Sequence, residues 1–91
     1  MLGLVFLAPG AAFRLHHHQE EERYIFVEGK GEMTLGNQQS VIEGPQVVHI
    51  ASNIPHGYLA TTHTVTFYMF KSGPFENIVY HRHDTEPNFI N

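Results

Sequence analysis

Residues 10–29 read GAAFRLHHHQEEERYIFVEG, with three consecutive histidines, His16 to His18, almost against three glutamates, Glu20 to Glu22. Imidazoles and carboxylates in such proximity either bind a divalent metal or form a solvated charged patch. An expression tag is a poorer reading, because tags sit at termini and these histidines lie inside a strand pattern. On a strand, residues two apart share a face, so His16 and His18 point together and His17 points the other way. A three-residue turn then returns Glu22 at the start of the next strand, where its carboxylate can meet both imidazoles. Glu20 has the parity of His16 and His18, but a straight strand carries it about 13 Å beyond residue 16. A single metal with bonds of about 2 Å cannot span that distance. Glu20 and Glu21 therefore read as solvated turn residues, and the cluster is either a charged patch or half of a metal site.

The elements that must position these side chains are strands. LVFLA, AFRLH, RYIFVE, GEMTLG, QSVIE, QVVHIA, HGYLATT, TVTFYMF and NIVYHRH are short segments rich in β-branched and aromatic residues. Gly, Pro and Asn punctuate them, and no apolar repeat of helical period and length occurs. GNQQS between EMTL and VIE marks a hairpin, since Gly36 and Asn37 both tolerate positive φ. Short strands at this spacing predict an all-β fold, an antiparallel sandwich or barrel. No linker or repeat divides residues 1–91, which read as one domain.

Bulk composition narrows the function classes. The chain is 42% hydrophobic and 15% charged, the balance of a packed domain. Nine acidic residues against five basic ones give a formal net charge of −4. With no Lys/Arg cluster, a nucleic-acid partner has no electrostatic footprint. Cysteine is absent, which removes disulfides and thiolate sites and fits a cytoplasmic protein. The apolar start MLGLVFLAPGAAF is too short to span a bilayer and lacks a basic leader. It reads as strand–turn–strand rather than as a signal peptide, and no membrane role is expected.

The spacing of the histidine segment resembles a known family. Gly10, five residues, His16-x-His18, three residues, Glu22, six residues and Gly29 match the first motif of the cupin superfamily. GPQVVHIASNIPHGYLA, residues 44–60, is similar to the second motif, which implies His56 as a fourth ligand. One extra residue follows Gly44, Ala51 replaces a common proline, Asn53 a common glycine and Ala60 a common asparagine. Asn53 is a tolerable replacement, since Asn enters the left-handed region readily. The resemblance implies a small single-domain cupin, a jelly-roll β-barrel with a metal held by His16, His18, Glu22 and His56.

That ligand set suits one divalent first-row metal: Fe, Mn, Co, Ni, Cu or Zn. Octahedral binding would leave two positions open to a small-molecule substrate. Parity turns Tyr24 and Phe26 inward with Glu22, and Tyr58 inward with His56. Tyr24 and Tyr58 are thus candidate acid/base residues, the alternative being core aromatics with satisfied hydroxyls. A further apolar wall comes from Phe67 with Met69 or from Tyr68 with Phe70. Phe13 and Met33 close the mouth or fill the core. His49 is expected to face solvent, His63 to lie in a loop, and HRHDTE (residues 81–86) to be a polar strand end. The expected function is a metal-dependent enzyme of oxygenase, isomerase or lyase type acting on a small polar molecule. The alternative is a non-catalytic cupin that binds or senses one. Exposed strand edges in so short a chain predict a homodimer through residues 2–7 or the segment after Gly73.

Overall fold

In the computed structural model, residues 2–70 and the backbone of residues 81–82 are described. Nine strands follow in chain order: β1 (Leu2–Leu7), β2 (Ala12–His17), β3 (Glu22–Glu28), β4 (Lys30–Leu35), β5 (Gln38–Glu43), β6 (Gln46–Ile50), β7 (His56–Ala60), β8 (Thr64–Phe70) and β9 (His81–Arg82). They form two sheets of order β1-β8-β3-β6 and β5-β4-β7-β2-β9. Every pairing is antiparallel. This is an all-β jelly-roll arrangement, with no helix among the described residues and hence none able to cross a membrane. Of the strand expected at NIVYHRH, His81 and Arg82 are seen paired to the end of β2. Its other residues, the rest of HRHDTE and the segment from Gly73 to Tyr80 lie outside the described residues.

The two-residue periodicity of the sequence becomes two faces per sheet. On β3, Glu22, Tyr24 and Phe26 are buried while Arg23 and Val27 are exposed. Leu7, Tyr24, Phe26, Met33, Ile42, Ile50, Tyr58 and Ala60 make the apolar core, with Phe13, Val48 and Tyr68 packed against it. The alternatives left open on β8 resolve by register. Tyr68 and Phe70 pair with Tyr24 and Glu22 and face inward; Phe67 and Met69 pair with Ile25 and Arg23 and face outward.

Two backbone features set the geometry of the site. Strand β2 slips register between Phe13, opposite Tyr58, and His16, opposite His56. Three residues of β2 therefore span two of β7, the count of a β-bulge, so Phe13 and His16 both face the interior despite opposite parity. At the tight β4–β5 connection Leu35 pairs with Gln38 and Gly36 has φ 61°. Asn37 is not at positive φ, so the turn follows the glycine-first pattern. Asn53 does take the left-handed conformation expected of it, at φ 61°.

Candidate metal centre

Four polar side chains converge between the sheets. His16 and His56 sit opposite each other on neighbouring strands of the second sheet. Glu22 opens β3 in the facing sheet, and His18 lies in the corner that carries the chain from one sheet to the other. His18, Glu22 and His56 are buried and His16 is partly buried. The three imidazoles offer ligand nitrogens that all lie within 4.8 Å of one another. Their rings are close, with His16–His56 centroids at 4.3 Å and His18–His56 at 4.9 Å. His17 is outside this group.

Backbone carbonyls set the tautomers. His18 Nδ1 donates to Glu20 O at 2.8 Å and His56 Nδ1 to Ile54 O at 2.8 Å, while His16 Nδ1 donates to Arg14 O. A carbonyl only accepts, so each Nδ1 carries the proton and each neutral ring presents an Nε2 lone pair inward. Glu22 Oε1 lies 3.0 Å from His18 Nε2 and 3.2 Å from His56 Nε2. Lone pairs facing a carboxylate repel unless a cation intervenes. Either Nε2 carries a proton, making an imidazolium, or a metal ion takes the protons' place. The residues fit a divalent metal on this ground, and the three carbonyl contacts are the outer support that orients metal-binding imidazoles.

The electrostatics agree with a pocket built for positive charge balanced by one carboxylate. Burial, reinforced by the charges of His56 and His18, lowers His16 to a pKa of about 4 despite its carbonyl bond and Glu22. Burial disfavours ionised Glu22, but hydrogen bonds from His18 and His56 and their charges outweigh it and hold the carboxyl below its usual range. Burial also opposes the His18 cation, yet the bond to Glu22 and its charge win and raise the pKa.

The surroundings sort the remaining candidates. Tyr24 is buried, stacked on Phe13 with ring centroids 5.5 Å apart, and its ring centre is 6.2 Å from that of His56. Tyr58 is buried against Phe26 at 4.8 Å, and its hydroxyl lies 3.0 Å from Thr64 Oγ1. Phe70, one of two options in the sequence, packs edge-on to His18 at 5.1 Å. His49 is exposed and meets Glu21 at 3.0 Å, and His63 is exposed between β7 and β8. Glu20 departs from the solvated residue expected of it: it is half-buried, and its Oε1 is enclosed with no hydrogen-bond partner. The corner that brings Glu22 back folds over its neighbour. No residue type marks the three supporting carbonyls in advance, since every residue has one.

Residues 3–71 match the family Cupin_2, a cupin domain. The chain is 32% identical over 81 residues to dimethylsulfoniopropionate lyase DddW of Ruegeria pomeroyi, covering 88% of this chain and 53% of that protein. It thus spans about half the length of that curated relative. Among solved structures, a mutant of the salicylate 1,2-dioxygenase from Pseudoaminobacter salicylatoxidans shares the fold with TM-score 0.80 at 14% identity, over 89% of this chain and 25% of that one. The dimethylsulfoniopropionate lyase DddQ from Ruegeria pomeroyi does so with TM-score 0.73 at 19% identity, over 86% and 41%.

Proposed function

The chain belongs to the cupin family, and we propose that it is a metal-dependent enzyme acting on a small polar organic molecule held between its two sheets. His16, His18, His56 and Glu22 hold one divalent first-row metal. The observation that carries the reading is the gathering of three imidazole ligand nitrogens within 4.8 Å of one another, with Nε2 of His18 and of His56 set against one Glu22 oxygen. When bound, the metal supplies Lewis acidity toward an oxygen of the substrate. Glu22 would offset part of its charge, Phe70 packs on the His18 side of the site, and the proton-handling role goes to Tyr24, whose ring centre is 6.2 Å from that of His56. Of the reaction types open to such a site, a lyase is favoured by the likeness to DddW, a dimethylsulfoniopropionate lyase. We assign the protein to the cytoplasm, on its lack of cysteine, and to a homodimer.

One observation favours a second reading, a cupin that binds or senses its ligand without turnover. Tyr58, one of the two candidate acid/base residues, has its hydroxyl engaged with Thr64. Metal analysis of protein purified without nickel resin or added metal is the first test, with about one equivalent of a single metal expected. Dimethylsulfoniopropionate consumption by the metal-loaded protein, with dioxygen uptake as the control for oxygenase chemistry, is the second. A protein that neither retains nor takes up any of the six metals would overturn both readings. Tight metal binding without turnover would favour the second.

A further inference from the structure

The loop between β6 and β7, residues 51–55, supplies no metal ligand, yet its backbone reaches two of them. Asn53 N–H donates to His18 O at 2.8 Å, and Ile54 O accepts from His56 Nδ1 at 2.8 Å. Pro55 O accepts from Gly36 N–H at 2.8 Å, which ties the loop to the β4–β5 turn. Ile54 N–H closes the loop on itself by donating to Ala51 O at 3.2 Å. The β2–β7 ladder sets His16 against His56, but His18 lies past the end of β2 and beyond that ladder. The backbone link from His18 to the segment that carries His56 therefore runs through Asn53.

This link needs an uncommon conformation. Asn53 has φ 61° and is the one non-glycine residue at positive φ among the described residues. In that region glycine is unhindered, asparagine is tolerated and a β-branched residue is strongly disfavoured. Leaving it would redirect the chain, so that the Asn53 N–H and the Ile54 carbonyl could not both keep their partners. Asn53 is itself exposed, so a substitution there reaches the imidazoles through the backbone. We propose that Asn53 is a positioning residue: its left-handed backbone lets one loop hold the His18 carbonyl and the His56 ring together, fixing the spacing of two ligands. The inference rests on the reading of His16, His18, Glu22 and His56 as a metal centre. Metal–ligand distances tolerate errors of only about 0.2 Å, and loss of an outer supporting contact weakens binding by roughly 10–100-fold.

Gly10 provides a matched comparison. It is also exposed and left-handed, at φ 88°, with nothing within 4 Å of an added Cβ. Its N–H, however, donates to Ala60 O at 2.8 Å, at the apolar end. Strain placed there costs stability without touching a ligand.

Titration with Co²⁺, followed by its visible absorption, reads both affinity and ligand geometry, and thermal unfolding of metal-free protein reads stability. Affinity rises from Mn through Fe to Co, so Co²⁺ is a fair probe whichever of these ions is native. Asn53→Val should raise the Co²⁺ dissociation constant about tenfold or more and shift the absorption band. Asn53→Gly should stay within about twofold of wild type and keep its band. Gly10→Val should lower the thermal transition while affinity and band stay as in wild type. If either valine variant lacks a β-sheet circular dichroism spectrum, Asn53→Ala and Gly10→Ala replace the pair. A rise of about threefold or more is then expected for Asn53→Ala and none for Gly10→Ala. Equal weakening by the Asn53 and Gly10 variants would mean general destabilisation and overturn the inference. A loss in Asn53→Gly as large as in Asn53→Val would overturn it too, by assigning the effect to the amide side chain. Wild-type affinity in Asn53→Val removes the role of Asn53 and leaves the metal centre standing. A wild type that binds no Co²⁺ overturns the metal reading and this inference together.

Discussion

The interior has two ends built on the same strands. Glu22 at the start of β3 and His56 at the start of β7 belong to a polar end with His16 and His18. Two to four residues further along, Phe26 on β3 and Tyr58 and Ala60 on β7 join Met33 and Ile42 in an apolar end. Both ends are buried, but by different means. The polar end satisfies its groups through one another and through backbone carbonyls, and in the absence of metal it needs a proton between lone pairs. The apolar end is held by packing, with Gly31 leaving room for the Tyr58 ring: a Cβ there would stand 2.4 Å from the Tyr58 hydroxyl and from Leu59 O. Removing water from polar groups contributes little to stability even when they are paired, whereas apolar burial contributes directly. The proposed function thus sits in the end that the fold could most easily do without.

The sharpest way to break this division is to delete a ligand. His18→Ala should lower metal affinity by more than the roughly 10–100-fold that loss of an outer supporting contact costs, while the thermal transition of metal-free protein shifts only modestly. Glu22→Gln should act similarly. His17→Ala should leave metal content unchanged, because His17 lies outside the imidazole cluster. Equal metal loss in His17→Ala and His18→Ala, measured by elemental analysis, would erase the distinction between them.

The opposite end should respond oppositely. Phe26→Ala removes a fully buried ring packed at a tilt against Tyr58 and should cost about 3–5 kcal/mol in denaturant unfolding. Whatever protein remains folded should still bind its metal stoichiometrically. Metal loss in folded Phe26→Ala would show that the two ends are one cooperative unit.

Much of this was legible in the sequence because its cause is local. Alternation on β3 places Glu22, Tyr24 and Phe26 on one face, and the reversal through residues 19–21 selects Glu22 over Glu20. What was not legible depends on pairing between distant segments. The β2 bulge, which turns both Phe13 and His16 inward, exists only in register with β7. The choice of Phe70 over Phe67 for the wall needs β8 set against β3. The enclosure of Glu20 Oε1 arises from the corner's fold between two sheets, and no spacing rule reports it.

Proton competition offers a milder perturbation of the polar end alone. His16 titrates near 4 in the folded metal-free protein against 6.5 unfolded. Between those values the unfolded chain holds the extra proton, so stability falls as pH drops from about 6.5 to 4, by on the order of 1–3 kcal/mol. Glu22, whose folded pKa is depressed, adds a further loss as pH falls below 4.5. His18 has the opposite sign: its raised pKa contributes stability below 6.5 that fades as pH rises through the folded value. Metal-free protein should therefore be most stable near neutrality. Bound metal, which replaces protons on the ligands, should flatten the profile until acid displaces it. Calorimetry with and without chelator across pH 4 to 8 measures both curves, and identical curves would count against metal at these residues.

The smallest effect is expected at Tyr58, and it tests where the boundary between the ends falls. Thr64 Oγ1 has one hydrogen, which it donates to Thr62 O at 3.0 Å. The 3.0 Å contact with Tyr58 must then run from the phenol to Thr64, with Tyr58 as donor. Burial keeps that phenol neutral by raising its pKa, with the Thr64 bond opposing only in part. Tyr58→Phe keeps the ring against Phe26 and deletes one donor, leaving Thr64 its own bond. The cost should be about 1 kcal/mol, with metal content unchanged and turnover altered less than twofold. Tyr24→Phe, on a ring whose centre lies 6.2 Å from that of His56, should instead lower turnover more than it lowers stability. If Tyr58→Phe abolishes turnover in a stably folded, metal-loaded protein and Tyr24→Phe does not, the acid/base role belongs to Tyr58 and the polar end reaches deeper into the barrel than its hydrogen bonds indicate.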